Sequence, residues 1–130
     1  IAEVWLKVDP GNPQALRIAA LAELRQSNLE PALAYMEKLH TQGEDAQLDT
    51  LASQARALPE EQQQTMLALY QRLHERHPDS PTITYSLALL NDNTGNSERA
   101  LALTESLLED ESNFQPAVTL KGKLLYDLER

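Results

Sequence analysis

An all-α fold of antiparallel helix pairs stacked as a solenoid is the architecture this sequence predicts, on three observations. Sliding the chain along itself by about 34 residues, the length of a helix-turn-helix repeat unit, aligns Leu39 with Leu73 and Leu107, and Leu33 with Leu67 and Leu101. Ala34, Ala68 and Ala102 fall into the same register. Four glycines and seven prolines, residues that end helices or fix turns, are spaced as punctuation between apolar stretches. Finally, apolar residues recur at i, i+3 and i+4, as in Leu29, Ala32, Leu33, Met36 and Leu39 and again in Ala100, Leu101, Leu103, Leu107 and Leu108. Alternating strand patterns are absent, so no sheet is expected.

About eight helices follow in order. The first, near residues 1–8, carries Val4, Trp5 and Val8 and stops at Asp9-Pro10-Gly11-Asn12-Pro13, whose second proline opens a helix over 13–26. Gln26-Ser27-Asn28 turns the chain into a helix over 29–41, and Gly43-Glu44-Asp45 precedes one expected over 46–57. Leu58-Pro59-Glu60 leads into a long helix over 60–76, with Glu60 and Glu61 favourably placed at its positive end. His77-Pro78-Asp79-Ser80-Pro81, two periods after the first proline pair, starts a helix over 81–92. Asn93-Thr94-Gly95-Asn96 separates it from one over 97–110, and the turn ending at Pro116 gives the last, over 115–128.

These boundaries make residues 1–130 one domain: 1–12 the second helix of a truncated repeat, 13–46 a repeat, 47–80 a degenerate repeat, 81–114 a repeat, and 115–130 the first helix of a truncated repeat. Val4, Trp5 and Val8 at one end, and Val118, Leu120, Leu124, Leu125 and Leu128 at the other, are then apolar surfaces lacking their neighbours. The chain opens at Ile1 inside an apolar segment without an initiator Met, so an interior slice of a longer protein is expected, with self-association through the open ends.

Composition narrows the function. With 42% apolar residues the chain has enough material for a packed core, and Leu and Ala dominate it. Twenty acidic against eleven basic residues repel phosphate backbones and anionic lipid surfaces, so nucleic acid is not an expected ligand. No apolar run reaches the roughly 18 residues of a membrane span. Without cysteine there is neither a disulfide nor a thiolate metal site, and a cytoplasmic or an envelope location stays open.

Chemistry-bearing clusters are few. His74 and His77 are three apart, with His40 one period before His74, but Arg76 intervenes, Pro78 follows directly, and the two-histidine zinc motif spaces its ligands by four. The expected role is exposed imidazoles, partly protonated near helix C-termini, and no metal. Glu109-Asp110-Glu111 lies at a helix end, where it is either solvated or a patch for a basic partner. No phosphate loop, nucleophile elbow or other catalytic motif occurs, so neither an enzyme nor a cofactor is expected.

The helix pairs resemble tetratricopeptide repeats over essentially the whole chain. Ala19-Ala20, Leu87-Ala88 and Lys121-Gly122 stand where that family has Leu-Gly in the first helix; Ala32 and Ala100 take its small second-helix position. Gly95 matches the turn glycine, Tyr70 the second-helix aromatic, Pro10 and Pro78 the terminal proline. The middle repeat departs, with Ser53-Gln54 for Leu-Gly and Met66 for the small residue, and should pack least ideally; Met36 and Thr104 replace the aromatic in the flanking repeats. Leu39, Leu73 and Leu107 stand where alanine is common, which would alter helix spacing. Ankyrin repeats have nearly this period, but their Thr-Pro-Leu-His signature is missing.

The resemblance implies a right-handed superhelix whose first helices line a concave groove. The residues expected there are Arg17, Leu21, Leu24 and Arg25, then Leu51, then Tyr85, Leu89 and Asn93, then Lys123 and Tyr126. Three cations, two tyrosines and several leucines would suit an extended peptide with apolar side chains and some negative charge, unless the leucines pack against the adjacent repeat. Leu21 and Leu89 replace the family's carboxylate-clamping asparagine, which disfavours chaperone tails. The expected function is a non-catalytic scaffold or adaptor of bacterial type that binds a protein or peptide partner. An architectural element assembling end to end or through its convex face is the second reading, and an adaptor segment for an envelope enzyme or assembly machine the third.

Overall fold

Local capping chemistry sets where the helices begin. The computed structural model describes residues 2–129, with side chains from Val4 onward, and falls into two compact units, Ile1–Gln47 and Leu48–Arg130. Among the described residues there are eight α-helices, one short 3-10 turn and no strand.

The first unit holds α1 (Ala2–Val8), α2 (Pro13–Arg25) and α3 (Leu29–Thr41), with α2 packed on both of its neighbours. Asn12 starts α2: its Oδ1 accepts from the Ala15 amide at 3.0 Å while Pro13 supplies a first-turn residue that needs no N–H partner. The chain reverses at Ser27, whose φ of 61° is left-handed, and the Asn28 amide donates to the Glu23 carbonyl at 2.9 Å. Ala15, Leu16, Ala19 and Ala20 on α2 and Leu29, Ala32, Leu33, Met36 and Leu39 on α3 are buried. The small residues let these two backbones come close. Beyond α3, Gln42 donates its side-chain amide to the Gly11 carbonyl at 2.9 Å and ties the two loops together.

The second unit is organised around α6 (Pro81–Asn93), on which α4 (Leu48–Ser53), α5 (Glu60–Arg76), α7 (Ser97–Asp110) and α8 (Gln115–Leu128) all pack. A helix with four neighbours needs apolar or small residues almost all round. Ile83, Thr84, Ser86, Leu87, Ala88, Leu90 and Asn91 are accordingly buried. Its polar members are satisfied within or beside the helix: Ser86 Oγ donates to the Thr82 carbonyl at 2.7 Å and Asn91 Nδ2 to the Leu87 carbonyl at 2.9 Å. Ser80 caps the start of α6 through the Ile83 amide, and Gly95, at φ 88°, reverses the chain after it.

The middle segment differs from expectation. In place of one helix over 46–57 there are two turns of α4, then a 3-10 turn over Ala55–Ala57. At the front, Asp45 Oδ1 accepts from the Gln47 amide at 2.9 Å and Gln47 sits at φ 55°, an Asx turn that competes with helix and delays its start. At the back, Leu58 is extended before Pro59, as the proline ring demands, and Gln63 Nε2 takes up the Ala55 and Leu58 carbonyls at 3.0 and 3.1 Å. Ser53 and Gln54 are exposed. Tyr70 then bridges α5 to α4: it is fully buried and its hydroxyl donates to the Leu48 carbonyl at 2.8 Å.

Three further expectations are corrected. On α8, Leu120 and Leu124 are buried, so the exposed apolar stripe reduces to Val118, Leu125 and Leu128. On α1, Val4 and Val8 are exposed while Trp5 is half-buried. The histidines are half-buried, not exposed. His74 Nδ1 lies 3.3 Å from Thr84 Oγ1, and burial, assisted by the Arg99 guanidinium and opposed by Glu75, pulls its pKa below the ordinary value, so its ring resists protonation.

This gives a pH dependence with a defined sign. As pH falls through about 6.5 the unfolded chain takes up a proton that folded His74 resists, so stability is retained above that range and declines below it. Urea midpoints measured between pH 5 and 7.5 should fall less steeply toward acid for His74→Gln than for the parent chain. Parallel curves would refute this.

Candidate partner-binding face

The residues expected to line a groove divide between the two units. Arg17, Leu21, Leu24 and Arg25 are in the first, where Leu21 is 54% exposed and Arg17 is already paired, Nη2 to Glu44 Oε1 at 2.9 Å. Leu51, Tyr85, Leu89, Asn93, Lys123 and Tyr126 are in the second, on α4, α6 and α8. Since α4 and α8 both pack on α6, the structure brings these three helices side by side. Spacing of four puts Tyr85, Leu89 and Asn93 on one stripe of α6.

Two of the six turn out to be struts. Asn93 donates from Nδ2 to the Ala52 carbonyl at 3.1 Å and accepts at Oδ1 from Arg56 Nη2 at 3.2 Å, which fixes the end of α6 to α4 and the 3-10 turn. Lys123 places Nζ 2.8 Å from Asp92 Oδ2 and 3.3 Å from Asp127 Oδ2, crossing from α8 to α6. The bond to Asp92, more than the other contributions, holds the Lys123 ammonium charged beyond its ordinary range. The Asp92 side chain is only 8% exposed, so Lys123 also shields it.

The remaining four are exposed to different degrees. Tyr126 is 59% exposed; Tyr85, Leu51 and Leu89 are half-buried. Tyr85 packs edge-on against Phe114, centroids 5.8 Å apart and planes 63° apart, which fixes the ring at the start of the stripe. Burial, and then the Asp49 carboxylate, raise its phenol pKa. Asp49, Arg56, Asp92, Phe114 and Asp127 belong to this face and were not singled out from sequence. Asp127 stands four residues after Lys123 on the same helix, a readable signal. The period also aligns Lys123 with Leu89, three residues before Asp92.

A separate cleft of about 310 Å³ opens in this unit between α5, α6 and α7, with His74, Thr84 and Leu107 among its lining and Asp79, Asp110 and Glu111 around it. The acidic run 109–111 therefore contributes two residues to a concave surface. Among the described residues no group of three or more His, Asp or Glu is placed to hold a metal ion, and no helix is long and apolar enough to cross a membrane.

Over 127 residues the chain is 27% identical to a TPR repeat-containing protein of Pseudomonas aeruginosa. The chain is similar to a tetratricopeptide-repeat protein. The alignment takes in 98% of this chain but spans about a fifth of the relative's length, 21%. No family model matches.

The tetratricopeptide-like positions are filled as the resemblance implies in most places. Ala32, Ala88, Ala100 and Tyr70 are all buried, and Gly95 occupies its left-handed turn. Met66, in place of a small residue, is also fully buried. Gly122 is different. It is exposed within α8, and a Cβ built there meets nothing within 4 Å.

The two glycines should respond oppositely to alanine. Gly95→Ala places a side chain at φ 88° and is expected to cost about 1 kcal/mol, whereas Gly122→Ala removes helix-disfavouring flexibility and should gain about 0.5–1 kcal/mol. Thermal melts of the two variants would decide it; a stabilised Gly95→Ala would contradict the turn's conformation.

Proposed function

We propose that the chain is a non-catalytic interaction module that holds a segment of a partner protein on the face formed by α4, α6 and α8. The observation that carries this reading is Tyr126, Tyr85 and Leu89 standing on helices whose relative positions are locked by the Asn93 and Lys123 struts. Rigid aromatic and leucine side chains lose little freedom on binding, which is the condition under which a modest surface gives useful affinity. Similarity to a protein named for its TPR repeats supports the same reading.

The test is a pull-down with the whole chain immobilised, followed by titration of the recovered partner. The double variant Tyr85→Ala, Tyr126→Ala should weaken binding at least about tenfold, on the scale of aromatic anchors, with helicity unchanged. Unchanged affinity would overturn the assignment of this face. A second reading is favoured by the exposed stripe of Val118, Leu125 and Leu128 on α8, which suits contact between copies. Sedimentation velocity on the parent chain and Leu125→Glu separates the two: association abolished by this change supports the second reading.

A further inference from the structure

We infer that the segment held on the α4, α6 and α8 face carries lysine or arginine between its apolar side chains, an inference that rests on this face being the docking surface. The groove residues read alone favour an anionic partner, because Arg17, Arg25 and Lys123 count as free cations. The charge balance on this face runs the other way. Lys123 lies between Asp92 and Asp127 and in the first unit Arg17 is neutralised by Glu44; Arg25 belongs to that unit and not to this face, and Arg56 donates to the neutral Asn93 amide.

On the face itself the carboxylates of Asp49, Asp92 and Asp127 outnumber the cations of Arg56 and Lys123. Asp49 stands on α4, which packs on the helix that carries Tyr85; burial first and then this carboxylate raise the Tyr85 phenol, so a negative charge lies within electrostatic reach of an aromatic anchor. An incoming carboxylate would meet a surplus of carboxylates, with the Lys123 ammonium already held between two of them. An incoming ammonium or guanidinium meets Asp49 and Asp127, and its aliphatic stem covers Leu51 or Leu89. The wider field acts the same way: residues 48–130 hold thirteen Asp and Glu against seven Lys and Arg. A net field of that sign speeds the encounter with a cationic segment and disfavours an acidic one.

The experiment uses the full chain and three synthetic peptides of equal length with identical leucine and tyrosine content, whose intervening positions are all lysine, all glutamate or all glutamine. Binding is followed by fluorescence anisotropy at low and at physiological salt. The lysine peptide is expected to bind about tenfold more tightly than the glutamine peptide, to weaken as salt screens the charges, and to lose several-fold in affinity in Asp49→Asn, Asp127→Asn. The Tyr85→Ala, Tyr126→Ala variant should weaken the lysine and glutamine peptides together. Glutamate peptide binding as tightly as lysine overturns the charge inference while leaving the docking face intact. Lysine binding that neither double variant changes also overturns it, as attraction to an acidic protein at large. Failure of all three peptides to bind defeats the docking face and the inference with it.

Discussion

Tyr70→Ala is expected to destabilise the second unit by about 3–5 kcal/mol, the range for removing a fully buried aromatic side chain. The ring lies in the interior and its hydroxyl reaches the Leu48 carbonyl, so the substitution opens a cavity and releases α4 together. That helix has only six residues and little stability of its own, so its position depends on this tether. Tyr70→Phe keeps the ring and loses the bond, and should cost about 1 kcal/mol. Urea unfolding followed by circular dichroism measures both; equal, small losses would mean that Tyr70 does not anchor α4.

The same residue carries an alkaline signature. Burial, with a smaller contribution from Asp49, raises the Tyr70 pKa far above the ordinary tyrosine value, so the folded protein keeps the phenol protonated where the unfolded chain would release it. Stability is therefore retained below about pH 10 and declines above it. Ultraviolet titration should find one tyrosine ionising only as the helices unfold.

Leu87→Ala is expected to have the next largest effect, about 2–5 kcal/mol, because Leu87 is buried on the helix that carries all four others in its unit. Its neighbour Ala88 is equally buried, and Ala88→Leu errs in the opposite direction, forcing extra carbons into filled space at about 1–3 kcal/mol. The exchange Leu87→Ala, Ala88→Leu keeps composition, side-chain volume and helix propensity. It should nonetheless lower the melting temperature by more than Leu87→Ala alone, because a cavity on one side of α6 is not filled by a leucine on another. A melting temperature restored to the parent value would show that shape at this helix matters less than total volume.

Helix boundaries were legible because their causes are local. Asn12 and Ser80 cap with their own side chains, Pro13 and Pro81 open the helices behind them, and Gly95 supplies the left-handed turn; each acts within a few residues, and seven of the eight expected helices stand within a residue or two of where these signals put them. The exception had conflicting local signals. Ala46, Leu48, Leu51, Ala52 and Ala55 continue a helical stripe, while Asp45 offers the backbone a competing bond, and that bond wins at Gln47. The half-burial of His74 was not legible for another reason: it comes from packed neighbours, and that burial, with Arg99 on α7 assisting, sets the preference for a neutral ring.

By itself, then, the sequence determined an all-helical chain of repeated pairs, the start and end of nearly every helix, and the small residues at which helices approach. Only the tertiary structure decided which candidate side chains are already engaged within the fold. Lys123 reads as a free cation until Asp92, 31 positions earlier, is brought within 2.8 Å, and Asn93 reads as a ligand-binding amide until the Ala52 carbonyl is beside it. Turn and cap energies are spent between chain neighbours and are written in order along the sequence. The pairing of charges depends on distance in space, which the chain acquires only when its helices pack.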